Sequence, residues 1–285
     1  MLIPGFLVVL VFSYFPLYGL QIAFRRYDIV SGLSGGKWVG MRYVLQFFND
    51  VYFFRLIRNT FLLGFYGIIF GTPAALLLAL MLNEVTHTAY KRFVQSVSYL
   101  PYFISTVVVV GMLMKIFSSV GVVNQLLASL GLEEQLFFSD PRWFRSLYVG
   151  SGVWQSAGYS SILYLAALAS NVDPELVDAA TVDGAHRGQR ILHIYIPCLV
   201  PIISVLLILN IGNVMRVGFD KVYLMYNMST YETADIISTY VYRRGLNDMD
   251  FSYATAVGLF NSFLSMILIL GANIFSRKLS GEALW

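Results

Sequence analysis

Eight side chains with hydrogen-bonding or aromatic chemistry interrupt otherwise apolar stretches of this sequence: Trp154, Gln155, Tyr159, Tyr164, Asn210, Asn213, Arg216 and Asn261. An amide, a ring hydroxyl or a guanidinium at apolar depth is costly unless it meets a partner or lines a wet path. Each of the eight therefore either ties helices together or faces a polar solute. Asn210, Asn213 and Arg216 recur every three residues, and Gln155 and Tyr159 lie four apart, spacings that put each set on one helix face. Bond-making chemistry has no such residues. Cys198 is the single cysteine, so no disulfide framework exists, and three histidines (His87, His186, His193) do not make a metal centre. His186 and His193 are seven apart and read as hydrogen-bonded structure. Gly36-Lys37 is the nearest approach to a phosphate loop. Ser31 stands where its first glycine belongs, however, and Trp38 where Ser or Thr would bind magnesium. There is no Gly-x-Ser-x-Gly elbow and no His-Glu-x-x-His pair, so no catalytic residue and no metal ligand is assigned.

The elements that must position the eight residues follow from composition. Of 285 residues 58% are hydrophobic and only 12% charged, with a mean hydropathy of +0.69, against about 25% charged in soluble domains. Net charge is +3 with no dense basic run, which leaves a nucleic acid no electrostatic footprint. A helix crosses the hydrocarbon core with about 20 apolar residues. Six runs free of Asp, Glu, Lys and Arg are long enough and predict spans near 2–24, 59–83, 93–114, 146–172, 191–215 and 251–276. The uncharged stretch 116–132 is broken by Gly121, Asn124, Gln125 and Gly131 and reads as a surface helix. The first run lacks a basic leader and a small-x-small cleavage site, so it reads as a span rather than a signal peptide. No low-complexity linker divides the chain, so 1–285 reads as one domain, an all-α polytopic membrane protein.

Lys and Arg do not settle its orientation. With both ends inside, the inner segments hold six basic residues and the outer ones thirteen, a slight bias by density. Loop length is more informative. The connections after the second and fourth spans are short, whereas those after the first, third and fifth are long and share one side; Gly40, Tyr43, Phe47 and Phe48 in the first suggest helices lying on the interface.

The short connection 173–190 is built to stand off the membrane. Asp173 is placed to cap a helix whose first position is Pro174, Glu175 lies in the favoured first turn, and Gly184 ends the helix. Leu176, Ala179 and Ala180 fall on one face, and a second helix resumes near Ala185 toward Pro197. Asp178-Ala179-Ala180, three residues, Gly184, nine residues, then Ile194-Tyr195-Ile196-Pro197 resembles the coupling-loop signature of permease subunits in ABC importers, Glu-Ala-Ala-x3-Gly-x9-Ile-x-Leu-Pro. Asp178 replaces Glu and Ile196 replaces Leu. Trp38-Val-Gly-Met-Arg-Tyr43 with Asn59-Thr60, Leu100-Pro101-Tyr102-Phe103-Ile104-Ser105, and Trp154-Gln155 with Gly158-Tyr159 are similar to the oligosaccharide-uptake branch, including permeases for alginate and pectin fragments. So are Asp220 to Asn227 and Asp250 to Gly258.

The resemblance implies the six-span type I importer permease fold in a bacterial cytoplasmic membrane. Both termini would be cytoplasmic, with a cytoplasmic coupling helix between spans four and five. It assigns Asp178, Ala179, Ala180, Asp183, Gly184, Ala185 and Arg187 to contact with the ATPase. It implies a second homologous permease, two ATP-binding cassette subunits that carry ATP and Mg, and an extracytoplasmic sugar-binding protein; this chain itself would hold no cofactor and no enzymatic activity. The eight polar residues then become substrate-path candidates, since rings suit sugar C–H faces and amides suit hydroxyls. Arg216 becomes a partner for the carboxylate of a uronic-acid oligosaccharide, with snorkelling to the interface as its alternative. An ion-coupled secondary transporter is the rival. It would need intramembrane acids, and none interrupts the six runs.

Overall fold

The computed structural model describes residues 2–28, Gly32 and 36–280. The ends whose side of the membrane was at issue, Met1 and residues 281–285, and Ser31 lie outside the described residues. Among the described residues four helices are long and apolar enough to cross a bilayer: α1 (Leu2–Phe24), α3 (Phe53–Asn83), α9 (Arg187–Gly212) and α12 (Phe251–Ser280, apolar through Ile274). Between them lie α2 (Arg42–Phe48), α4 (Thr88–Phe103), α5 (Thr106–Ile116), α6 (Val122–Ser129), α7 (Pro141–Asn171), α8 (Pro174–Val182), α10 (Phe219–Met225) and α11 (Ile237–Tyr242). α6 falls within the stretch read as a surface helix. α7 has 31 residues, about 46 Å of helix, but its Ser, Gly, Gln and Tyr content leaves it less apolar than the four. Its serines offset their own cost: Ser151, Ser156 and Ser161 donate to the carbonyls of Leu147, Gly152 and Gly158.

The third expected span, 93–114, is not continuous. α4 and α5 meet at an angle of 98°. Pro101 lacks an N–H for the helix, Ile104 is extended at φ −79°, ψ 132°, and Ser105 starts the next helix by accepting from Val108 N–H at 3.4 Å. Taken as one span, the pair brings the crossing elements to five. Other helices run past the uncharged runs. α3 begins at Phe53 and α7 at Pro141, ahead of the uncharged runs, because Arg55, Arg58, Arg142 and Arg145 in their first two turns carry charge without ending the helix.

Three apolar clusters hold these elements together. One joins Leu63, Val110, Phe144, Val222 and Ile236. A second joins Phe47, Leu56, Met215, Tyr240 and Tyr253, and a third Ala79, Tyr164, Leu168, Ile194 and Leu199. α3 lies along α7, and α4 crosses α7 so closely that a Cβ on Gly158 would overlap the Ser98 carbonyl. Gly158→Ala is therefore expected to lower the unfolding temperature of the detergent-solubilised protein, with an overpacking cost of about 1–3 kcal/mol. Gly150→Ala on the same helix meets no atom within 4 Å and is expected to leave that temperature unchanged or raise it.

Candidate functional site

The 173–190 connection folds as its residues dictate. Asp173 accepts from Glu175 N–H at 2.9 Å with Pro174 in the first helical position. Gly184 takes φ +79°, Gly184 N–H reaches the Thr181 carbonyl and Ala185 N–H the Ala180 carbonyl. Those two bonds with a left-handed glycine make a Schellman stop, a conformation that side chains with a Cβ rarely adopt. His186 then caps α9, accepting from Gln189 N–H at 3.3 Å while Gln189 accepts from His186 N–H at 2.9 Å. The inward face of α8 is Val177 and Ala180, half-buried on the third cluster. Leu176 and Ala179, expected to share that face with Ala180, are exposed, since a 100° step rotates them away from α9. Asp178, Asp183, Gly184 and Arg187 are exposed and Ala185 half-buried. α8 buries no residue, and Leu176 and Val182 are exposed.

One contact here escaped the sequence reading. Glu84, just past the end of α3, accepts from Arg190 at 2.7 Å and lies 3.6 Å from Arg187, while Arg190 also donates to Thr181 Oγ1 at 3.2 Å. Glu84 is the only acid in the connection 84–92, but Lys91 and Arg92 of the same connection compete as partners, so the sequence does not single out Arg187 and Arg190.

The second feature is a cavity of about 560 Å³ between α3, α7, α9 and α10. Gln155, Tyr164, Asn210, Asn213 and Arg216 line it, five of the eight polar candidates. Asn210, Asn213 and Arg216 stay in line although α9 ends at Gly212, because the chain continues in tight turns: Asn213 N–H bonds the Asn210 carbonyl and Arg216 N–H the Asn213 carbonyl. Gln155 has a structural duty as well, donating to the Ile104 carbonyl freed by the break between α4 and α5. The other three lie elsewhere. Tyr159 stacks on Tyr102, centroids 3.9 Å apart, Trp154 is exposed away from the cavity, and Asn261 ties α12 to the Met215 carbonyl at 3.2 Å.

A residue that the polar-in-apolar scan passed over completes the wall. Lys221 on α10 lines the same cavity with its Nζ 5.2 Å from the Tyr148 ring centroid. Burial pushes its ammonium down to about 8. Lys221 sits six residues beyond the end of an uncharged run, and only the return of α10 into the helices brings it inward. The lining thus carries two cations and no carboxylate. A wall of amides, hydroxyls and cations over apolar Leu63, Ile68 and Leu206 can hold a polar, anionic solute.

Long apolar helices around a cavity lined by polar side chains, with an exposed helix outside them, are consistent with a transport subunit. Residues 67–281 match the family described as binding-protein-dependent transport system inner membrane component, and the chain belongs to that family, a multi-pass and non-catalytic permease subunit of ABC transporters. It is 45% identical to Protein LplB of Bacillus subtilis (strain 168), covering all of this chain and 90% of that protein. It is 40% identical to the polygalacturonan/rhamnogalacturonan transport system permease protein YteP of the same organism, covering all of this chain and 89% of YteP. Among solved structures it is similar to a chain of a bacterial ABC transporter involved in the import of the acidic polysaccharide alginate. That match has a TM-score of 0.91 at 43% identity and covers 98% of this chain and 94% of that one.

Proposed function

We propose that this chain is one of two permeases that pass acidic oligosaccharides from an extracytoplasmic binding protein into the cell, driven by ATP hydrolysed on separate cassette subunits. The observation that carries the substrate class is the cavity: Arg216 and Lys221, the amides Gln155, Asn210 and Asn213, and no acid among its lining residues. Its relatives' association with polygalacturonan and alginate is consistent with that charge pattern. An ion-coupled carrier is disfavoured by the same lack of acids. In this reading the chain crosses the membrane six times, with α7 and the bent α4–α5 pair as spans. Both ends are cytoplasmic, and the 173–190 loop is the cytoplasmic contact for an ATPase, through Asp178, Ala179, Ala180, Asp183, Gly184, Ala185 and Arg187. ATP binding draws the cassettes together, α8 transmits the movement to α3, α7 and α9, and the cavity alternates between the two sides. A preference of a few kcal/mol between the two states suffices.

Arg216→Gln tests the substrate class. In cells expressing the whole transporter, uptake of uronate-containing oligosaccharides is expected to fall by about tenfold, as for the loss of one charge-assisted contact of roughly 1.4 kcal/mol. Uptake of neutral oligosaccharides should fall less. An equal loss for both classes, or none, removes Arg216 from carboxylate recognition and leaves it an interfacial anchor.

A further inference from the structure

Lys221 is 9% exposed, and a lysine this buried ordinarily has a carboxylate partner. Other part-buried cations of the molecule have a side-chain acceptor: Arg243 the carboxylate of Asp235, Arg190 that of Glu84, and Arg145 the amide of Asn59. Among the described residues Lys221 has no ion pair and no hydrogen bond; its one neighbour of electrostatic consequence is the face of Tyr148. Nor is its position forced by chain path. Val222 and Met225 of the same short helix are fully buried in the first cluster and anchor α10, so Lys221 is presented to the cavity by a fixed element. Gly152 faces the ammonium, and a Cβ built there would stand in ordinary contact, 3.6 Å from Nζ. Arg216 lines the same space.

We propose that Lys221 is the specificity-determining cation of the cavity, and that its counter-ion is the carboxylate of a uronic-acid unit of the passing oligosaccharide. This rests on the acidic-oligosaccharide reading given above and adds the residue that selects the charge. Lysine suits this role because a compact ammonium with three rotatable donors accepts a carboxylate from several directions, which fits a cargo that must enter and then leave. Tyr148 lends its ring face to the ammonium while the cavity is empty, so the charge is tolerated without being neutralised. An acid from the protein would neutralise it, and would compete with the cargo.

Thermal unfolding of the detergent-solubilised, fully assembled transporter, without its binding protein, tests this with two probes: a galacturonate trisaccharide and the same trisaccharide with its carboxyls reduced to alcohols. A ligand bound to the folded state raises the unfolding temperature. The wild type is expected to show a larger rise with the uronate form. Lys221→Met should cut that rise to the level of the reduced sugar, and Lys221→Arg should keep most of it. Without either sugar, Lys221→Met should unfold no lower than the wild type, because it removes a buried charge that lacks a protein partner. If the wild type responds equally to both sugars or to neither, the acidic reading and this proposal both fail. If the wild type distinguishes them and Lys221→Met still does, only the assignment to Lys221 falls. A Lys221→Met transporter that unfolds at lower temperature and responds to neither sugar makes Lys221 structural and equally overturns the assignment.

Discussion

Asp235→Ala should destabilise the solubilised protein by about 3 kcal/mol, the low end for breaking a buried ion pair because the partner guanidiniums keep some solvent. Asp235 is itself fully buried. Its two oxygens receive Arg243 at 2.9 and 2.7 Å and the Thr239 hydroxyl at 2.8 Å, with Arg55 at 3.6 Å. Truncation strands the Arg243 guanidinium among the rings of Tyr226, Tyr231 and Tyr240, which tolerate a cation but do not replace a bidentate carboxylate. The damage spreads because the backbone here is pinned from α3 as well: the Asn59 side chain donates to the carbonyls of Glu232 and Asp235 and accepts from Arg145. The 213–250 connection, including the helix that carries Lys221, hangs from this knot. Thermal unfolding of Asp235→Ala beside Asp235→Asn is the check. Asparagine keeps the volume and the Thr239 bond and should cost less. Two variants within experimental error of the wild type would mean the pair contributes nothing net.

Glu84→Ala should leave the protein in the membrane and yet reduce substrate uptake on the order of tenfold, the scale of a typical coupling free energy. Glu84 is the strut between the end of α3 and the start of α9, through Arg190 at 2.7 Å and Arg187 at 3.6 Å. Arg190 in turn holds Thr181 on α8. If α8 receives the push of the ATPase, this strut is what makes α3, a wall of the cavity, move with it; without it α8 would shift while the cavity lagged. Uptake and ATP hydrolysis measured together check the point. Uptake per ATP should fall, and the charge exchange Glu84→Arg with Arg190→Glu should restore part of it. An unchanged ratio would confine Glu84 to a stabilising role.

How much of this was legible beforehand depends on what each signal measures. Uncharged runs locate α1, α3, α9 and α12 because burial in lipid is a matter of composition. The same measure is blind to direction, so the 98° break inside 93–114 was hidden, even though Pro101 and the capping Ser105 mark it. The stop at Gly184 was legible because a left-handed turn leaves few choices of residue. The cavity was half legible: Asn210, Asn213 and Arg216 keep one face through a helix and then through turns. Tyr159, by contrast, stacks on Tyr102 of a helix whose path no spacing reveals. Lys221 and Glu84 lie in connections, where only the folded chain says which distant element they meet.

In the proposed transport cycle 173–190 is where the chain takes up the work of an ATPase. Co-purification tests it most directly: tagged chain expressed with its companion subunits, solubilised, and assayed for an ATPase that follows it, in the wild type and in Gly184→Pro, which cannot form the φ +79° stop. The ATPase is expected to follow the wild type and to be lost from a variant still inserted in the membrane. An ATPase that follows both equally, or never follows a well-folded wild type, would contradict it.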